Sequence, residues 1–67
     1  MSYPVKIRLS AVRVNAGLSQ EELANKMHVS RATIVNWENN KVKMSEADLT
    51  LYSSTCGFPK EYIFLPY

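Results

Sequence analysis

In the stretch Ser30-Arg31-Ala32-Thr33-Ile34-Val35-Asn36-Trp37-Glu38, the side chains able to do chemistry are not those of an enzyme. Arg31 carries a forked guanidinium with several donors and no acceptor, and Asn36 carries an amide that donates and accepts side by side. These patterns match the O6/N7 edge of guanine and the N6/N7 edge of adenine in a DNA major groove. Ala32 and Val35 offer only methyl groups, which suit the methyl of thymine, and Thr33 adds a hydroxyl. In a helix, Ile34 and Trp37 share one face, while Ala32, Val35 and Asn36 project from the other with Arg31 at the leading end. Such a helix has a buried side and a reading side.

Contacts that hold a duplex without reading it should flank this helix. Ser30 stands at its start. Gln20, at the start of the preceding helix, presents an amide beside free backbone N–H groups, where the helix dipole favours a phosphate oxygen. After Glu38, Asn39, Asn40, Lys41 and Lys43 offer amides and two ammoniums, although a solvated loop is an equal reading for Lys43.

Enzyme readings lack parts. His28 is the only histidine and Cys56 the only cysteine, so no base stands beside a nucleophile, no metal-ligand set is visible and no intrachain disulfide forms. Glu21 and Glu22 belong to a helix N-terminus, where cap and dipole account for them. No catalytic residue, metal or cofactor is expected. Cys56, at helical spacing from Leu49 and Tyr52, reads as a small core residue.

Two helix starts eleven residues apart position the reading residues. Ser19 and Glu22 form a capping box flanked by Leu18 and Leu23 as a hydrophobic staple, and the helix from Gln20 runs to about Met27. Ser30 caps the next helix, which runs to Glu38, leaving a tight turn at His28 and Val29. Two short helices on such a turn make a helix-turn-helix over about residues 19–38, with Ala24 where the helices cross. The run Thr33-Ile34-Val35 is β-branched, so its helicity must come from the Ser30 cap and the packing of Ile34 and Trp37.

A first helix is expected from near Val5 to before Gly17, with Val5, Leu9, Val12 and Ala16 as its core stripe. Ile7, Ala11 and Val14 form a second apolar stripe, covered by the last helix or the tail Tyr62-Ile63-Phe64-Leu65, or else forming a subunit interface. Ser45 caps a fourth helix to about Thr55 or Cys56, closed by Gly57, and Pro59 opens a last helix from Lys60 to about Phe64. No strand pattern is seen. The expected product is an all-α, compact bundle of five short helices.

The 67 residues are expected to form a single domain over 1–67, and one this small buries only about 60% of its unfolded surface. A hydrophobic content of 46% indicates a folded globule, and a formal net charge of +2 is compatible with nucleic acid without pointing to it. No signal peptide is apparent, and the apolar runs fall far short of the ~20 residues of a membrane span. A cytoplasmic location away from membranes is expected.

Arg13, Gly17-Leu18-Ser19-Gln20-Glu21-Glu22-Leu23-Ala24, Val29-Ser30, Ile34, Trp37-Glu38-Asn39, Lys41, Ser45, Leu49 and Gly57 together resemble the DNA-binding domain of the Cro/Xre family of phage and bacterial repressors. The resemblance spans roughly Val5 to Ile63. It implies a lambda repressor-like helix-turn-helix fold, double-stranded DNA as partner, transcriptional repression, and an ion pair between Arg13 and Glu38. It also implies a homodimer that spaces two recognition helices about 34 Å apart on a palindromic operator. The chain departs from the family by having His28 in the interhelical turn and Asn40 after the recognition helix, where glycine is usual. Both are expected to hold a left-handed backbone. The apolar tail, Tyr62 to Tyr67, suits a dimer contact or the point where a longer protein continues. The alternative function is a protein-interaction module, such as an antitoxin-like partner, acting through Ile7, Ala11 and Val14 or that tail.

Overall fold

Residues 6–66 are described by a computed structural model. The expected contributions of Val5 to the first helix and of Tyr67 to the tail lie outside the described residues. Four helices follow in order: α1 (Leu9–Asn15), α2 (Gln20–Met27), α3 (Arg31–Glu38) and α4 (Glu46–Cys56).

Serine hydroxyls start three of them. Ser19 Oγ accepts from the Glu22 N–H at 3.0 Å while a Glu22 carboxylate oxygen accepts from the Ser19 N–H at 2.8 Å. The backbone donation from Ser19 is the main reason the Glu22 carboxyl lies below the ordinary carboxylate range. Ser30 Oγ accepts from the Thr33 N–H at 3.2 Å and Ser45 Oγ from the Asp48 N–H at 3.1 Å. Each such cap contributes about 1 kcal/mol.

The turn between α2 and α3 is made by His28 at φ 59°, ψ 40°, and the exit from α3 by Asn40 at φ 61°. A non-glycine residue in this region carries about 1 to 2 kcal/mol of strain, partly offset because glycine loses more chain entropy on folding. His28→Gly is therefore expected to raise unfolding free energy by about 0.5 to 1 kcal/mol, read from urea midpoints at constant slope.

The first helix begins at Leu9 rather than near Val5. Ile7 and Arg8 are extended as β1 (Ile7–Arg8), which pairs in parallel with β2 (Ile63–Phe64), Ile7 opposite Ile63 and Arg8 opposite Phe64. The chain is therefore not purely helical. Ala16, expected in the core stripe, is an exposed C-cap. The second helical stripe does not form either: Ile7 lies in the strand against the core, Ala11 is half-buried, and Val14 is 62% exposed.

The expected fifth helix is one 3₁₀ turn, Lys60–Tyr62. Pro59 sits before it with an extended ψ of 129°, and Ile63 leaves it at ψ 125°. A single turn gains too little from hydrogen bonding to persist, whereas Ile63 gains a ladder partner and a core site, where it is 5% exposed. Arg8 lies over the Phe64 ring at 5.5 Å on the exposed side of this ribbon.

The core joins Leu9 and Val12 of α1, Leu23, Ala24 and Met27 of α2, Ile34 and Trp37 of α3, Tyr52 of α4, and Ile63. Met44, which stands between the polar Lys43 and Ser45, is buried among them. Leu18, Val29, Leu49 and Cys56 are half-buried against this cluster, and burial pushes the Cys56 thiol up, away from reactivity.

Candidate nucleic-acid interface

Ile34 is 0% and Trp37 4% exposed, so the β-branched run is held helical by the core on one side and the Ser30 cap at its start. The opposite side of α3 is open to different degrees. Arg31 and Ala32 are exposed at the leading end, and Thr33, Val35 and Asn36 are half-buried behind them. The Thr33 hydroxyl lies 2.9 Å from that of Ser30, so it is engaged in the cap itself.

After α3 the chain folds back on the helix end. Asn39 N–H donates to Val35 O at 2.9 Å, Asn40 N–H to Trp37 O at 3.1 Å, and Lys41 N–H to Asn36 O at 2.9 Å. The loop is thus anchored beside the half-buried Asn36, with Asn39, Asn40, Lys41 and Lys43 exposed. Asn40 also lines a small crevice with Arg8, Leu9, Glu38, Phe64 and Pro66. The acidic residues Glu46, Asp48 and Glu61 follow in α4 and the 3₁₀ turn, so the segment from Arg31 to Lys43 carries three cations and one acid, Glu38.

That acid is neutralised internally. Arg13 Nε donates to Glu38 Oε2 at 2.8 Å and its Nη2 to Oε1 at 3.3 Å, with side-chain exposures of 14% for Arg13 and 4% for Glu38. Arg13 Nη1 donates to the Leu18 carbonyl at 2.9 Å. The Tyr52 hydroxyl lies 2.8 Å from both Glu38 Oε2 and the Leu9 carbonyl, and its single proton favours the charged acceptor. Burial pushes the Glu38 carboxyl up, but donation from Arg13, Tyr52 and Gln20 outweighs burial and holds it below the usual carboxylate range. Its hydrogen bond to Glu38 raises the Arg13 pKa, and burial beside that carboxylate lifts the Tyr52 phenol far above its ordinary value.

Gln20 joins this buried group to the reading helix. Its Nε2 donates to Glu38 Oε1 at 3.1 Å and its Oε1 accepts from Arg31 Nη2 at 3.2 Å. The opposite amide orientation would set carbonyl against carboxylate and NH₂ against guanidinium, so the neighbours determine which end points where. Of the two Nε2 protons, one is left for an incoming oxygen. Sequence reasoning missed this link and the part played by Tyr52. The only local signal was positional: Gln20 and Arg31 each follow a serine cap as the first residue of their helix.

Among the described residues, no group of three or more His, Cys, Asp or Glu is placed to hold a metal ion, and no helix is long and apolar enough to cross a membrane. His28 is exposed in its turn.

A helix-turn-helix family model matches residues 9–63, from the first residue of α1 to the first of β2. No curated protein and no solved structure matches the chain. The family match covers most of the sequence and contains the whole α2–turn–α3 unit. On that extent, the chain belongs to the Cro/Xre-type helix-turn-helix family of DNA-binding transcription regulators.

Proposed function

We propose that the protein is a sequence-specific repressor of phage or bacterial type, acting in the cytoplasm as a homodimer that places α3 in the major groove of a palindromic operator. One observation carries this reading: Ile34 and Trp37 anchor α3 in the core while Arg31 and Ala32 stand exposed at its leading end. In helix-turn-helix proteins it is the N-terminal part of the second helix that meets base edges. Arg31 supplies donors to guanine, Asn36 a donor and acceptor to adenine, and Ala32 and Val35 methyl contact with thymine; Thr33 contributes less, since its hydroxyl is held by Ser30.

Phosphate contacts come from Gln20 and Ser30 at the two helix starts and from Asn39, Asn40, Lys41 and Lys43 after α3. They flank the reading residues on both sides and orient the module. Arg13, Ala24, Ile34, Trp37 and Glu38 hold the fold.

Selection of bound sites from random duplexes tests specificity and pairing together. A two-fold symmetric consensus with half-sites about one helical turn apart is expected; absence of any enriched sequence overturns the reading. Lys41→Ala is expected to weaken binding by similar factors at every sequence and to reduce the slope of log affinity against log salt by about one. Titrations at several salt concentrations on the selected site and on a scrambled one provide the check.

A further inference from the structure

We propose that Arg8, on the ribbon that joins the two ends of the described chain, contacts a DNA phosphate and carries the binding surface from the loop after α3 onto β1, an inference that rests on α3 being the DNA-facing helix and extends its surface to a segment outside the helix-turn-helix. Arg8 lines one crevice with Leu9, Glu38, Asn40, Phe64 and Pro66. Asn40 belongs to the exposed loop assigned to the DNA backbone. The ribbon therefore places a cation beside that loop which is distant from it in sequence.

The guanidinium is held by its face and free at its edge. Arg8 pairs opposite Phe64 in the ribbon and lies over the Phe64 ring at 5.5 Å. Such stacking uses the flat face of the group, whereas its five N–H donors lie in the plane and point outward at the rim. Among the described residues no acceptor or acid engages those donors. The other two arginines, Arg13 and Arg31, each spend donors inside the chain. Glu38, which borders the same crevice, accepts instead from Arg13, Tyr52 and Gln20.

A guanidinium with a supported face and unused in-plane donors suits a phosphate, whose oxygens it meets two at a time. Phe64, 41% exposed, is then the platform that limits the rotamers of Arg8 and lowers the cost of ordering it on contact. From Arg31 to Glu38, α3 rises about 10 Å at the usual helical rise. The phosphate met by Arg8 thus lies toward the trailing end of α3, apart from those near Gln20 and Ser30 at the two helix starts.

Arg8→Gln and Arg8→Lys in the full chain are titrated with the selected operator and a scrambled duplex across a salt series, with urea unfolding in parallel. Arg8→Gln is expected to weaken binding by similar factors on both duplexes and to reduce the slope of log affinity against log salt by about one, so that the wild-type advantage shrinks about threefold between roughly 50 and 200 mM salt. Arg8→Lys keeps the charge and should keep the slope. Urea midpoints stay near wild type, since the side chain is exposed. Replacing operator phosphates one at a time by uncharged methylphosphonate locates the contact. Wild type should lose affinity at one phosphate to which Arg8→Gln is indifferent, and that phosphate should differ from the one lost with Lys41→Ala.

An Arg8→Gln protein with the wild-type slope and the wild-type set of sensitive phosphates overturns the inference and leaves Arg8 as a cover for Phe64. A loss confined to one base pair of the consensus overturns it as well, and so does weaker binding at unchanged slope with a lowered urea midpoint. In each of those results wild type still selects its consensus. A wild type that selects none fails the reading of α3 itself and takes this inference with it.

Discussion

Glu38→Ala is expected to remove about 3 to 5 kcal/mol of stability, the range for taking one partner out of a buried ion pair. A domain of this length has only about 3 to 10 kcal/mol in total, at the usual value per residue, so the variant should be largely unfolded or close to it. The size of the effect comes from what is left behind. Arg13, whose side chain is 14% exposed, keeps only its bond to the Leu18 carbonyl. The Tyr52 hydroxyl keeps the Leu9 carbonyl, and Gln20 loses its inner acceptor. Replacing both charges at once, with Arg13→Met and Glu38→Leu, should cost much less than Glu38→Ala alone, because no unpaired charge remains. Thermal and urea melts followed by circular dichroism compare the three proteins. A Glu38→Ala protein within 1 kcal/mol of wild type would show that this network contributes little.

The same carboxylate sets an acid limit. Its pKa in the folded chain is depressed below the ordinary 4.5, so ionised Glu38 contributes stability that is present above that value. The contribution is lost as pH falls through the lower, folded pKa. Wild type should therefore become easier to unfold as pH drops below about 4.5, and Glu38→Gln, with no carboxyl to protonate there, should show a shallower decline over the same interval. Urea midpoints taken between pH 6 and 3 give both curves.

Apart from the Arg13–Glu38 pair, which the family resemblance implied across 25 residues, what the sequence disclosed and what it hid divide by distance along the chain. The serine caps were readable because each involves residues within three or four positions, and the left-handed turns at His28 and Asn40 because both stand where the family usually has glycine. The faces of α3 were readable for the same reason, since Ile34 and Trp37 are three apart. The ribbon was not. Ile7 pairs with Ile63 across almost the whole chain, and two-residue strands leave no alternating pattern to detect. That pairing also explains why a helix expected from Val5 begins at Leu9, and why the segment after Pro59 straightens where a helix was anticipated. Met44 was hidden by its polar neighbours, Lys43 and Ser45, although it reaches the core. Gln20 was assigned to a phosphate on local grounds; its links to Glu38 and Arg31, 18 and 11 residues away, depend on how α2 and α3 cross.

Arg31→Ala should produce the largest loss of DNA affinity of any single substitution on the exposed part of α3, about 1 to 3 kcal/mol or roughly 5- to 150-fold in Kd at the selected operator. The loss should be confined to one base pair per half-site. When that pair is changed, wild type loses its contact too, and the two proteins should bind alike. Stability should stay within about 0.5 kcal/mol of wild type, since Arg31 is exposed and its recorded bond is to an amide rather than to a charge. The salt slope should change little, because a contact to a base edge releases no phosphate counterion. These signs are opposite to those for Lys41→Ala, whose effect is uniform over sequence and appears in the slope. Measuring both variants on both operators thus separates reading from anchoring. An Arg31→Ala protein as tight as wild type on the selected site would take Arg31 out of the interface and leave Asn36, half-buried beside the returning loop, as the remaining side chain on α3 with paired donors and acceptors for a base.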